Sequence, residues 1–156
     1  MRLVRACAVV TVTAIIAAVT IATASGASPV LKAADVAGYR GALVNSSSWS
    51  LYILTTEKGA QVKCRAECLK TWPPLLVSKS ITTVALGAHV QGKIGFVARS
   101  ATMKQVTYNS YPLYTYVGDL GPKHDQGQDF VSDGGTWYLV RARATSAKAT
   151  PYKSSS

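Results

Sequence analysis

The chain has 156 residues, of which 17 are Lys or Arg and 7 are Asp or Glu, and its formal net charge at pH 7 is +10. This length supports one compact hydrophobic core and excludes a pair of independent large domains. The basic residues are scattered singly, which disfavours nucleic acid as a partner. A cationic surface could attract an anionic component of a cell wall or membrane, but solubility alone explains scattered basic residues better. The partner is therefore left as an unknown envelope protein or an anionic wall or membrane component.

Residues 1–27 have the layout of a secretory signal peptide. Arg2 and Arg5 precede an uncharged run, and small residues follow it, so cleavage is predicted after Ala24 or Ala27. The alternative is a retained membrane anchor, because the uncharged run approaches the length of a bilayer span. The run is rich in Ala and Thr, however, and these residues insert poorly into a membrane.

The leader sets the predicted compartment. Cys7 lies before the apolar run and not after it, so it is not placed to become a lipidated first residue of the mature chain. We therefore predict a secreted or periplasmic cell-envelope protein without a lipid at Cys7. The rest of the chain divides into an N-terminal linker at residues 28–40, a β domain at residues 41–141 and a disordered basic tail at residues 142–156.

The first strand signal lies at residues 51–54, between a Ser-rich stretch and a turn-forming stretch. Glu57 follows Tyr52 by five residues, and Asp119 follows Tyr114 by the same distance. Because a Leu also precedes both tyrosines, the pattern predicts a duplicated module. The expected fold is a single all-β domain of two β-repeats, arranged as a sandwich or a barrel-like pair of sheets.

Two cysteines remain after the leader. Cys64 and Cys68 are four residues apart, and on a helical turn this spacing places their Cα atoms about 6 Å apart, within the range of a disulfide. A disulfide is the default in an exported protein. Zinc would need two more ligands, and His89 and His124 have no paired spacing. A copper site formed by the two reduced thiolates is the remaining alternative, and no cofactor is predicted.

A Trp-Pro-Pro sequence follows the cysteines. Pro73 and Pro74 end any helix there, because proline has no backbone N–H and disfavours helix in the preceding residue. Trp72 is expected in the core, and the alternative is an exposed aromatic residue that binds a ligand. Trp137 is its counterpart in the second unit, within a closing strand predicted at residues 136–140.

The second unit begins with strands predicted at residues 92–99 and 104–108, with Ile94 and Phe96 on one face of the first. Asn109 and Ser110 are expected to form the hairpin turn into a strand at residues 111–117. Bulky side chains occupy both faces of that last strand, which predicts a position near the centre of a sheet.

An acidic loop follows the second unit's strands. Asp119 is expected to cap a turn by accepting backbone N–H bonds. The loop could also gather a hard cation through five side chains, namely Asp119, His124, Asp125, Asp129 and Asp133. The alternating oxygen spacing of a calcium loop is missing, and Asp and Gly are ordinary turn formers. Both interpretations stay open at this point.

These residues together resemble a known family. The motif has the form Tyr-x-aromatic-x-x-Asp, and the residues that carry the resemblance are Tyr114, Tyr116, Asp119, Trp72, Pro73, Pro74 and Trp137. The chain is similar to the bacterial secreted-repeat proteins, often lipoproteins, that are named for this motif. The resemblance implies an exported, mostly β protein of two repeats with no known function. The first unit departs from the motif, because Leu54 and Glu57 stand where it has an aromatic residue and Asp.

Three functions are compatible with the sequence. The first is a non-catalytic module of the cell envelope that binds a partner. The second is an envelope protein that handles electrons or metal through Cys64 and Cys68 or through the acidic loop. The third is a hydrolase with Asp119 and Glu57 as its carboxylate pair, which would require the two groups to lie within about 10 Å of each other across a cleft.

Overall fold

A computed structural model describes residues 30–59 and 61–142. In these ranges the chain forms strands and a short helix, in the order β1 (Val30–Val36), β2 (Tyr39–Val44), β3 (Tyr52–Leu54), α1 (Cys68–Thr71), β4 (Leu76–Ser78), β5 (Ala85–Leu86), β6 (Ile94–Ala98), β7 (Met103–Tyr108), β8 (Tyr111–Pro112), β9 (Phe130–Ser132) and β10 (Gly135–Leu139). The predicted leader at residues 1–27 and the predicted tail beyond Ala142 lie outside the described residues.

The strands form small sheets. Their orders are β2-β1-β5, β3-β10-β9 and β4-β7-β6, with β8 also paired to β7. The prediction of an all-β fold is therefore confirmed, whereas no barrel closes among the described strands. In the described ranges no helix has the length and apolar character needed to cross a membrane.

The linker predicted at residues 28–40 is wrong for its described part. Residues Val30–Val36 form a strand that pairs with Tyr39–Val44 in an antiparallel hairpin. The turn is made by Ala37 and Gly38, which both have positive φ angles. Leu31 and Val36 are fully buried, and this burial holds an Ala-rich strand that has a weak sequence signal. Ala142, which we assigned to the tail, is also buried and belongs to the folded part.

Two hydrophobic cores lie on opposite sides of the central strands. Ile53 belongs to one core, whereas its neighbours Tyr52 and Leu54 belong to the other. Leu113 and Tyr114 divide in the same way. Because successive side chains of a strand point to opposite faces, these segments are buried on both sides. The central position predicted for the segment around Tyr114 is confirmed.

The strand predicted at residues 111–117 is regular only over Tyr111–Pro112. Beyond it the chain runs beside residues 71–75, and the amide of Thr115 donates to the carbonyl of Pro73 at 2.9 Å. Pro73 and Pro74 have no N–H to return such a bond, so a complete ladder cannot form here. The turn before this segment is as predicted, because Asn109 and Ser110 both have positive φ angles, as a two-residue hairpin turn requires.

Backbone hydrogen bonds of the first unit (residues 39–78) correspond to those of the second unit (residues 103–142). In two places three residues are joined in a closed ring, in which the amide of each residue donates to the carbonyl of the next at 2.7 to 3.0 Å. One ring joins Leu43, Val140 and Leu51, and the other joins Val106, Leu75 and Leu113. Each ring takes one member from the other unit, namely Val140 of the second unit in the first ring and Leu75 of the first unit in the second ring. These two residues are equivalent, because each follows the tryptophan of its own unit, Trp137 or Trp72, by three residues. The two units are therefore interlocked.

Candidate functional site

The two motif tyrosines lie side by side where the units meet. The amide of Tyr52 donates to the carbonyl of Tyr114 at 2.9 Å, and the amide of Tyr114 donates to the carbonyl of Tyr52 at 3.0 Å. On the outer sides, Leu139 pairs with Tyr52 and Pro74 pairs with Tyr114. The arrangement has approximate twofold symmetry, with both tyrosines fully buried.

Each tyrosine hydroxyl reaches the carboxylate of the other unit. Tyr52 Oη lies 3.0 Å from Oδ1 and 3.1 Å from Oδ2 of Asp119. Tyr114 Oη donates to Glu57 Oε2 at 2.8 Å. The sequence places each acid five residues after the tyrosine of its own unit, but the side chains form crossed pairs. We call these the crossed tyrosine–carboxylate pairs.

The Tyr52–Asp119 pair lies at the start of the acidic loop. Asp119 is almost completely buried, and its Oδ1 also accepts the amide of Gln126 at 2.9 Å, so the turn-capping role predicted for it is present. Burial raises the pKa of Asp119 to about 6, although the Tyr52 hydroxyl and the Gln126 amide oppose this rise. Burial and the Asp119 charge together raise the pKa of Tyr52 well above its ordinary value.

The carboxylate of the Tyr114–Glu57 pair accepts hydrogen bonds from more donors than that of the Tyr52–Asp119 pair. Glu57 is fully buried, and its Oε1 accepts the amides of Lys63 and Cys64 at 2.6 Å each. Burial, followed by the charge of Glu57, raises the pKa of Tyr114, while the positive charge of Arg99 opposes this rise. Glu57 therefore performs the role that Asp119 performs in the other pair, despite the departure from the motif.

Stacked aromatic rings surround the two pairs. Trp72 lies between Trp137, at 3.9 Å between ring centroids and 7° between planes, and Tyr116, at 4.4 Å and 27°. Tyr52 meets the edge of Trp72 at 5.6 Å, and Tyr114 meets the edge of Trp137 at 5.1 Å. The core position predicted for Trp72 is confirmed, and it packs directly against its counterpart Trp137.

The disulfide predicted between Cys64 and Cys68 is confirmed, with 5.3 Å between the Cα atoms. It joins Cys64 to the first residue of α1, and this helix ends at Thr71 just before the Trp-Pro-Pro sequence, as predicted. The loop between the cysteines is exposed, but Cys64 itself is fully buried in the aromatic core. The sulfur of Cys64 is poorly placed for thiol exchange, because exchange requires access for an attacking thiolate, whereas Cys68 is half-buried.

The acidic loop does not assemble into a metal site. Asp119 faces inward to Tyr52, and the carboxylate of Asp133 accepts the hydroxyl of Ser132 at 2.7 Å on the surface. Neither in this loop nor elsewhere in residues 30–59 and 61–142 do three or more His, Cys, Asp or Glu side chains converge to hold a metal ion. The candidates His124, Asp125 and Asp129 are therefore loop residues that the structure does not bring together as ligands.

The hydrolase interpretation requires carboxylates that are free to act on a substrate. Glu57 and Asp119 instead hold buried hydroxyl and amide donors, which fixes both side chains.

The sequence did not indicate which tyrosine each acid would meet. The equal spacing of Tyr and acid in both units was the signal, but only the packing of one unit against the other reveals the crossing.

Comparison of the chain with protein-family models, with curated proteins and with solved structures finds no match.

Proposed function

We propose that the chain is an exported, non-catalytic module of the cell envelope that binds an anionic wall or membrane component. The observation that carries this proposal is the structural use of the two motif carboxylates. Glu57 and Asp119 each accept a tyrosine hydroxyl and at least one backbone amide. The motif thus stabilises the join between the units, and binding is left to the surface.

The surface supports an anionic partner. Two of the 7 acidic side chains, Glu57 and Asp119, are withdrawn into the interior, whereas many basic side chains stay exposed. The exposed basic residues include Lys58, Lys63, Arg65, Lys70, Lys79, Lys93 and Lys123. A surface with this excess of positive charge attracts polyanions over distances set by the salt concentration.

The compartment is part of the same proposal. The disulfide is consistent with an oxidising environment outside the cytoplasm, and the predicted signal peptide would deliver the chain there. We further propose membership of the secreted-repeat family, which the matching bonds of the two units support. N-terminal sequencing of the protein from its host should find a mature end after Ala24 or Ala27.

The binding test is sedimentation of the purified protein with cell wall and with lipid vesicles. We expect binding to untreated wall or to phosphatidylglycerol vesicles at 0.01 M salt, where the screening length is about 30 Å, and release at 1 M, where it is about 3 Å. Wall stripped of anionic polymers and phosphatidylcholine vesicles are the controls. No sedimentation at low salt, or equal binding to the neutral controls, contradicts the proposal.

A further inference from the structure

A cleft of about 380 Å³ lies between the Cys64–Cys68 loop and the turn that joins β6 to β7. Arg65 of the disulfide loop and Arg99 of the β6–β7 turn contribute the charged part of its lining. Leu69, Leu76 and Met103 contribute the apolar part. This volume is within the range of about 300 to 1,000 Å³ that is usual for small-molecule sites.

Among the residues that the structure describes, no acidic side chain lines the cleft. Within residues 30–59 and 61–142 neither guanidinium forms an ion pair, and Glu67 of the disulfide loop pairs with Lys70. Arg99 Nη2 makes one long bond of 3.3 Å to the carbonyl of Cys64, and Nη1 is buried without a hydrogen-bond partner among the described atoms. The half-buried charge of Arg99 and the exposed charge of Arg65 both line the cleft, and two adjacent guanidinium groups favour an anionic ligand.

The apolar part lies beside these arginines on one face of a sheet. Leu76 is opposite Gln105 of β7, and Met103 is two residues away on that strand, so the side chains of Leu76 and Met103 share a face. Leu76 is 39% exposed. The cleft therefore places an uncovered apolar surface next to two cations.

We propose that this cleft binds an amphiphile with a carboxylate or phosphate head on a single apolar chain. Arg65 and Arg99 hold the head, and Leu69, Leu76 and Met103 contact the chain. The inference deepens the proposed function and rests on it for the anionic nature of the ligand. It differs in requiring one defined site, whereas general attraction to a wall or membrane needs only the distributed surface charge.

Binding can be measured by calorimetry, with backbone amide shifts from NMR used to locate the site. The probes are decanoate and decyl phosphate below their micelle concentrations, with decyl maltoside as the neutral probe of equal chain length and inorganic phosphate as the head alone. We expect at least one anionic decyl probe to bind and to shift amides near residues 65–69, 76 and 99–103. The better of the two identifies the head as carboxylate or phosphate.

The variants are Arg99→Gln and Arg65→Gln, with Lys93→Gln as the control. Lys93 precedes β6 and Arg99 follows it. At the rise per residue of a β-strand the two residues are about 20 Å apart, so the control removes an equal charge far from the cleft. Each arginine variant should weaken binding by roughly ten-fold or more, the usual scale of one charge-assisted hydrogen bond. Arg65 is exposed, so its variant tests the site even if Arg99→Gln unfolds the chain.

Several results would contradict the binding of an anionic amphiphile in the cleft. These are equal binding of the neutral probe, amide shifts that lie elsewhere, no binding of either anionic probe, binding only to phosphatidylglycerol vesicles, or equal weakening by Lys93→Gln. The two proposals fail separately. Arg65→Gln that still sediments with cell wall but loses the decyl probe supports both, whereas a wild-type protein that binds the probe but never the wall removes the proposed wall function alone.

Discussion

The two crossed tyrosine–carboxylate pairs perform the same task with different strength. Glu57 accepts three donors, one of which is the amide of Cys64 in the disulfide, whereas Asp119 accepts a hydroxyl and one amide at the start of a long loop. Burial raises the pKa of Asp119 to about 6. The join between the units is therefore held by more hydrogen bonds at the Glu57 end, and its Asp119 end responds to pH.

The largest effect should come from removing the more heavily used carboxylate. Glu57→Ala leaves the Tyr114 hydroxyl and the amides of Lys63 and Cys64 unsatisfied in the interior, at about 1 to 3 kcal/mol for each group. We expect the free energy of unfolding in urea to fall by about 4 kcal/mol or more.

Asp119→Ala is the matched change in the other pair, and it should cost less because fewer donors lose their acceptor. Glu57→Gln keeps the size of the side chain and should retain much of the stability. Equal losses for Glu57→Ala and Asp119→Ala would show that the two ends are equivalent.

The second effect is a pH dependence that belongs to Asp119. Its pKa is raised from 3.8 to about 6, so the folded state binds its proton more tightly than the unfolded state does. The resulting stabilisation is complete below about pH 4 and is lost as pH rises through about 6. For a pKa shift of this size, the free energy of unfolding should be about 3 kcal/mol higher below pH 4 than above the raised pKa.

Urea unfolding between pH 4 and pH 7 measures this loss, and Asp119→Asn should remove it. Asp133→Asn, at the exposed end of the same loop, is the control and should keep the wild-type dependence. The account of Asp119 is wrong if the Asn variant loses stability over this range as steeply as the wild type.

The third effect comes from the disulfide of the first unit, since the second unit contains no cysteine. Cys64→Ala with Cys68→Ala opens a small loop, and the chain-entropy model assigns about 2 kcal/mol to such a closure. The Cys64 amide still has Glu57 as its acceptor, so the loop should keep its path. Thermal unfolding should show a lower midpoint, and an unfolded variant would show that the disulfide contributes far more than closure of a small loop.

Much of the local structure could be predicted from the sequence. The spacing of Cys64 and Cys68, the turn at Asn109 and Ser110 and the strand around Phe96 all depend on neighbouring residues, and the structure confirms each. The N-terminal hairpin was missed because its Ala-rich strand β1 has little intrinsic strand preference, and burial decides its conformation.

The site was less predictable than the strands. Sequence spacing identified Tyr52, Glu57, Tyr114 and Asp119 as related residues, but their pairing depends on contacts between segments that are about 60 residues apart. The loop has an acidic composition typical of cation sites, yet the Asp119 side chain points inward, because it accepts a hydrogen bond from the buried Tyr52 hydroxyl. Arg99 gave no signal, since a single arginine after a strand is common.

The most direct test of the crossed pairs is a set of double-mutant cycles measured by urea unfolding at pH 7. Tyr114→Phe combined with Glu57→Gln, and Tyr52→Phe combined with Asp119→Asn, should each show a coupling of about 1 to 2 kcal/mol. The pairs within one unit, Tyr52 with Glu57 and Tyr114 with Asp119, should show a coupling close to zero. Coupling within units and none across them would contradict the account.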